Sequence, residues 1–395
     1  MELNVFKTDT HATATPLNQK MSEAHKNVTQ SWLDTMTPLS VLKDRVDADA
    51  LLKRDELMEQ SLVRLSGDLT TNDFPYTKGG LLSLNSFTPI PNSMFEYLYA
   101  RNYYTDYAGY CNIELDNREI KPRASKDFLV RFREIDGVDH IRLIASDRYG
   151  IIDHDQVLKS VFYALPGGKP DVFCPSYCYD GDNLTVNILF PDYIQTKPDS
   201  EYGCGISVGN SETKAKSFTV RPFLYRASSN THFIWNKRDS ALNINIKHFG
   251  NMDFDKIRKM VSVGVETALT QGENILKLLD VAKFVPVDDA LRVIATLSRD
   301  YRLTITQGKH WHQCYLNGDF QNTAFGLLNA LSLASNKYDG EMAEYMQMST
   351  LQMLTPTLVT SPEVIQKRWE RINAKSHLLD TKTVEQYAFE VVNND

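Results

Sequence analysis

Residues 128–145 read FLVRFREI-DG-VDHIRLIA, and their reading decides the fold. Two runs rich in β-branched and aromatic residues flank Asp136-Gly137, the dipeptide that accepts positive φ at both central positions of a tight hairpin. Phe128, Val130 and Phe132 alternate onto one face of the first arm, and Ile141, Leu143 and Ala145 supply a matching face on the second. The opposite face then collects Arg131, Arg133, His140 and Arg142. This is the pattern of an antiparallel sheet with one apolar face and one cationic face.

Working outward, Ser146–Gly150 reads as a turn, followed by a helix over about Asp155–Leu165 that Pro166-Gly167-Gly168 closes. Further strands are expected at Leu184–Leu189, Ser217–Arg226 and His232–Trp235. Upstream, Leu51, Met58, Leu62 and Leu65 recur at helical spacing before Gly67, which predicts a helix over Asp47–Leu65. After Asn251 the pattern becomes helical. Helices are expected over Asp255–Leu269, Glu273–Phe284, from Asp288 to Arg299, and over Thr323–Ser335, Glu341–Leu354, Pro362–Ala374 and Val384–Val392. Ser361-Pro362 supplies a start signal, a cap residue followed by proline at the first helical position. The expected architecture is α+β, with a polar, Thr-rich arm over residues 1–30, a strand-rich core over 31–250 and a helical region over 251–395.

Composition bounds the function classes. A hydrophobic content of 42% and a charged content of 24% are those of a globular protein, and no apolar run approaches the roughly 18 residues of a membrane span. The first 30 residues lack the positive-then-apolar pattern of a secretory signal. Five scattered cysteines, odd in number, suit reduced thiols, so a cytoplasmic setting is expected.

The net charge is −7, yet Gly205–Met260 carries ten Lys/Arg against four acids, a local +6 that leaves −13 elsewhere. Phe218, Phe223, Tyr225, Phe233, Trp235, Phe249 and Phe254 are interleaved with those cations. On a strand over Ser217–Arg226, Thr219, Arg221, Phe223 and Tyr225 share a face on which cation and ring recur about every 7 Å. Cations that reach phosphates beside rings that stack on bases are what a single-strand site requires. The expected interface comprises Arg131, Arg133, Arg142, Arg221, Phe223, Tyr225, Arg226, Lys237, Arg238 and Lys247. The competing reading is an ordinary sheet whose aromatics are core and whose cations are solvated.

Catalytic signals are weak. His310, His312 and Cys314 would project from one side of a strand as three zinc-type ligands, but a helix would turn His312 away. Asp147, Asp153 and Asp155 could gather at a divalent ion, and read more simply as a turn and a helix cap. Gly203, Gly205 and Gly209 lack the Gly-Lys-Ser/Thr of a phosphate loop, and there is no Gly-x-Ser-x-Gly elbow. No metal, nucleotide or other cofactor is expected.

Three stretches carry a resemblance: Arg142–Tyr149 with Ile151-Ile152-Asp153, Gly205–Glu212 running into Val220–Arg226, and Asn322–Ala330. Together they resemble the phage/plasmid-like protein family, a domain of unknown function carried on mobile elements, and more distantly the phage single-strand annealing proteins. The chain departs from the family in reading Ala227–Thr231 where a Cys-x-Asn-Gly type turn is usual. The resemblance implies a non-enzymatic protein that binds and anneals single-stranded DNA or RNA as a homo-oligomer, in recombination or replication. The rivals are a metal-dependent nuclease or hydrolase using His310 and His312, and a virion or assembly protein whose basic sheet meets a protein partner.

Overall fold

The computed structural model describes residues 33–66, 74–84, 92–117, 127–165, 172–197, 200–226, 231–234, 244–250, 252–318, 320–338, 340–354 and 361–389. The expected arm over residues 1–30 lies outside them, as do Trp235, Lys237 and Arg238. The architecture is α+β, as expected: antiparallel sheets occupy the first two thirds of the chain and helices follow.

The hairpin forms as read. Strand β3 (Asp127–Ile135) pairs antiparallel with β4 (Val138–Ser146), and Asp136 and Gly137 take φ of 54° and 76°. A third strand, β2 (Lys53–Glu59), adds to β3 and completes a small sheet of order β2-β3-β4. This overturns the helix expected over Asp47–Leu65. Helix α1 (Leu39–Ala50) takes in only its first residues, Lys53–Glu59 is extended because KRDELME also satisfies a period of two, and Gln60–Leu62 forms a single 3-10 turn. Met58 enters the core on one side, while Lys53 and Asp55 point to buried ionic partners on the other. Helices α2 (Lys78–Ser83), α3 (Asn92–Ala100) and α4 (Tyr104–Asn117) cover the apolar face, where Phe128, Val130, Phe132, Ile141 and Ile144 meet Leu81, Phe95, Tyr107 and Leu115.

A bulge changes the parity of β4. Arg131 pairs with Leu143 and Phe132 with Ile141, so Arg142 is the extra residue. Ile141 therefore joins Phe132, whereas Leu143 and Ala145 fall with Leu129 and Tyr149 on the other side of the sheet.

The larger sheet has seven strands. β1 (Thr37–Pro38), β5 (Phe173–Tyr179), β6 (Asn183–Lys197), β7 (Ser200–Ser211), β8 (Phe218–Arg226) and β10 (Ile244–Ile246) pair in that order, and β9 (Thr231–Ile234) also pairs with β8. Leu184, Val186, Ile206, Val208, Phe218 and Val220 pack against α1, α5 (His154–Ala164) and α6 (Phe254–Ala282). Helix α6 runs unbroken over 29 residues, where two helices were expected. Gly264 lets it close on the sheet, since a Cβ there would stand 2.3 Å from a Val220 methyl.

Beyond α6, helices α7 (Ala290–Asp300), α8 (Ile305–Asn317), α9 (Ala324–Ser335), α10 (Gly340–Leu354), α11 (Pro362–Ser376) and α12 (Thr381–Glu385) enclose their own core around Trp311 and Trp369. The helix expected over Val384–Val392 is instead the short α12, and residues 390–395 lie outside the described range. Among the described residues no helix is long and apolar enough to cross a membrane.

Candidate nucleic-acid interface

The expected cationic face of the hairpin is present but buried, and the C-terminal helices are not what covers it. Arg131 and Arg142 are 2% and 0% exposed. The larger sheet and its helices meet them with carboxylates. Arg142 Nη1 donates to Glu212 Oε2 at 2.7 Å and lies 3.3 Å from Asp182 Oδ1. Arg131 pairs with Asp55 at 2.7 Å and with Asp153, and its Nη1 reaches the Glu212 carbonyl at 3.3 Å. Arg133 pairs with Asp49, which also faces Lys53 at 2.6 Å and accepts from the Tyr179 hydroxyl at 2.5 Å. Lys53 spans to Glu212 at 3.0 Å. Asp153 occupies the position before α5 expected of a helix cap, yet its carboxylate serves Arg131.

Glu212 is the hub of this network. Burial alone would raise its carboxyl, but His154, Arg142, Lys53 and Arg131 hold it below the usual carboxylate range. The same burial pushes the His154 imidazole down to about 4, although its Nδ1 lies 3.3 Å from Glu212 Oε1. Arg142 and Lys53 already answer the charge on Glu212, so little of it remains to favour an imidazolium. These groups join the two sheets, and strand cations committed to internal carboxylates are not offered to a ligand.

The β8 face meets the same correction. Its alternation is as read, with Phe218, Val220 and Leu224 opposite Arg221, Phe223 and Tyr225. Phe223 and Tyr225, however, pack with Leu33, Met36, Leu189 and Ile234, and Arg221 is 8% exposed. Arg226 lies half-buried, its guanidinium 5.5 Å from the Phe325 ring centroid. For the two rings the ordinary-sheet reading holds, since both are core, whereas Arg221 is buried rather than solvated. Of the expected interface, Lys247 is the described residue left exposed.

The zinc-type set is dispersed by α8. His310 accepts or donates at the Tyr338 hydroxyl at 2.6 Å, whereas the His312 Nδ1 accepts the Phe389 amide at 3.0 Å. Among the described residues no group of three or more His, Cys, Asp or Glu is placed to hold a metal ion.

Lys247 leads to a different surface within the same basic segment. A cleft of about 340 Å³ opens where the end of β4, the β7–β8 turn and the segment after β10 converge. Its cations are Arg148, Lys214, Lys216 and Lys247, and no carboxylate is among its lining residues. Tyr149 and His248 stack at its wall, 5.2 Å between centroids and 10° between planes, while Phe249 at its rim is 69% exposed. Backbone contacts hold the parts together: the Gly250 amide donates to the Arg148 carbonyl at 3.0 Å, and His248 Nδ1 donates to the Gly150 carbonyl at 3.1 Å. The Lys214 backbone rides the turn at φ 67°, but its ammonium tucks inward to the Ile144 carbonyl at 3.0 Å, and burial pushes it down to about 8. Burial likewise lowers His248 to about 4, so its imidazole is neutral at neutral pH.

Sequence reasoning missed Arg148, Lys214, Lys216 and Phe249 as a group. Three of the four belong to the +6 segment, but they lie outside the strands, where no alternation marks a shared face. Neither family models, nor curated proteins, nor solved structures match the chain, so the geometry of this cleft stands on its own.

Proposed function

We propose that the chain binds single-stranded DNA, without catalysing a reaction on it, through the Arg148/Lys214/Lys216/Lys247 cleft. The carrying observation is the combination of four cations, no lining carboxylate and an exposed ring in one concavity. Phosphates meet the cations, and a base stacks on Phe249, whose ring has no core to serve. A volume of about 340 Å³ sits at the small end of ligand sites, about 300–1,000 Å³, and suits one nucleotide of a longer strand. In this reading the protein anneals strands, and copies assemble along a strand, each holding a short run of nucleotides.

The test is fluorescence anisotropy of a labelled oligonucleotide over a salt series. With four phosphates neutralised, log affinity falls against log salt with a slope of roughly −3. Lys247→Ala flattens that slope by about 0.7. Phe249→Ala leaves the slope unchanged and costs about 1–3 kcal/mol, because stacking releases no counterions. Both side chains are exposed, so neither variant unfolds the sheet. Absence of binding at low salt, or undiminished binding by both variants, overturns the proposal.

A further inference from the structure

A second cavity, about 600 Å³, lies between α1 and α5 and is lined by Lys43, Asp47, Asp155, Lys159, Phe162 and Tyr163. Tyr163 is 64% exposed, and its ring stands edge-on to Phe254 at 5.9 Å. The Lys159 ammonium lies 5.4 Å from the Phe254 centroid. Phe254 opens α6 and follows Phe249 of the first cleft by five residues, so their Cα atoms are at most about 18 Å apart. A strand of a few nucleotides bridges that distance, well within the roughly 4–16 nucleotides that single-strand folds occupy.

The chemistry of the two cavities differs. In the second, two lysines face two carboxylates, and Lys43 is paired with Asp47 on its own helix. Its cations are balanced, so it offers little to a phosphate. It offers rings and acceptors. An ionised carboxylate accepts hydrogen bonds and donates none, so its partner must present N–H groups. Cytosine, adenine and guanine present exocyclic amino groups. Thymine presents a single imide N–H flanked by two carbonyls that a carboxylate repels.

Resting on the reading of the first cleft as a single-strand site, we infer that the α1/α5 cavity is a base subsite selecting amino-bearing bases over thymine. Tyr163 supplies the stacking surface, and Asp155, in the first turn of α5, accepts from the amino group.

The experiment compares binding of oligo-dC and oligo-dT of about ten nucleotides by the full chain at neutral pH and fixed salt. The expected result is about tenfold tighter binding of oligo-dC. Asp155→Asn removes that preference by raising oligo-dT affinity toward that of oligo-dC, because a neutral amide both accepts and donates and no longer repels the thymine carbonyls, and Tyr163→Ala weakens oligo-dC more than oligo-dT. Lys247→Ala weakens both equally. Equal affinity for the two oligonucleotides, or a preference that survives Asp155→Asn, overturns the base subsite alone. Failure of both oligonucleotides to bind at low salt overturns the single-strand reading and the subsite with it.

Discussion

Acidification tests the buried imidazoles, and its size follows from where they sit. His154 and His232 are both buried to within 2% of complete, and burial lowers each from 6.5 to about 4. Both are neutral when folded and titrate near 6.5 when unfolded, so the unfolded chain binds protons first as pH falls. The stability they permit is complete above pH 6.5 and is lost between 6.5 and about 4. At pH 5 the linkage comes to about 2 kcal/mol per histidine, or about 4 kcal/mol for the pair relative to pH 7.5. His248 shifts in the same direction and adds to the loss. Asp153 and Asp182 shift upward under burial, so the folded chain takes up their protons above the ordinary carboxylate range and this opposes the loss; the difference between wild type and a histidine variant isolates the imidazole's share. Urea unfolding followed by circular dichroism at half-unit pH steps reads the effect. His232→Leu, which replaces an imidazole packed against Phe223 and Tyr225, should remove about half of it. A stability that stays level or rises from pH 7 to 5 refutes the reasoning, because it would mean that Glu212 holds His154 as an imidazolium.

Arg142→Met strands Glu212 without its nearest cation and should cost about 3–5 kcal/mol in urea unfolding, while the folded fraction keeps the wild-type salt slope with an oligonucleotide. Gly181→Ala imposes a side chain at φ 91° with its Cβ 2.1 Å from Arg133 Nη1; a loss of about 1–2 kcal/mol is expected in the same assay. Gly150→Ala places a Cβ 2.8 Å from the Gly250 carbonyl and the Phe249 amide, backbone atoms that must move. Oligonucleotide affinity should fall about tenfold, some 1.4 kcal/mol, because the Lys247–Phe249 wall shifts away from the Lys214 turn.

The local signals were legible and the long-range ones were not. Asp136-Gly137 specified its hairpin because positive φ at two successive positions has few other uses. Ser361-Pro362 preceded α11 for an equally local reason. The strand Lys53–Glu59 was hidden because its inward charges resemble a solvated helix face until their partners are known, and Glu212 lies 159 residues from Lys53. The capping box that starts α8, Thr304 with Gln307, was present in the chain and would have argued against a strand through His310–Cys314. The bulge at Arg142 leaves no mark in a pattern of alternating residues, and it decided which side of the sheet Leu143 and Ala145 took.

Burial explains why the cations of the basic segment separate as they do. A strand residue in a sheet covered on both faces must enter an interior, where an arginine survives only beside carboxylates or rings. Arg131 and Arg142 follow that rule against Glu212, Asp153 and Asp182, and Arg226 follows it against Phe325. A turn residue faces no such demand. Lys247 lies exposed where a strand ends, while Lys214 and Lys216, on the β7–β8 turn, direct their ammonium groups to the Ile144 carbonyl and the Thr185 hydroxyl rather than to a carboxylate. The two populations nonetheless meet at Glu212. Its side chain closes the ionic network, its carbonyl accepts the Tyr149 hydroxyl at 3.4 Å, and Lys214 follows two residues later. The buried charges thereby anchor the wall of the cleft on which the proposed single-strand reading rests.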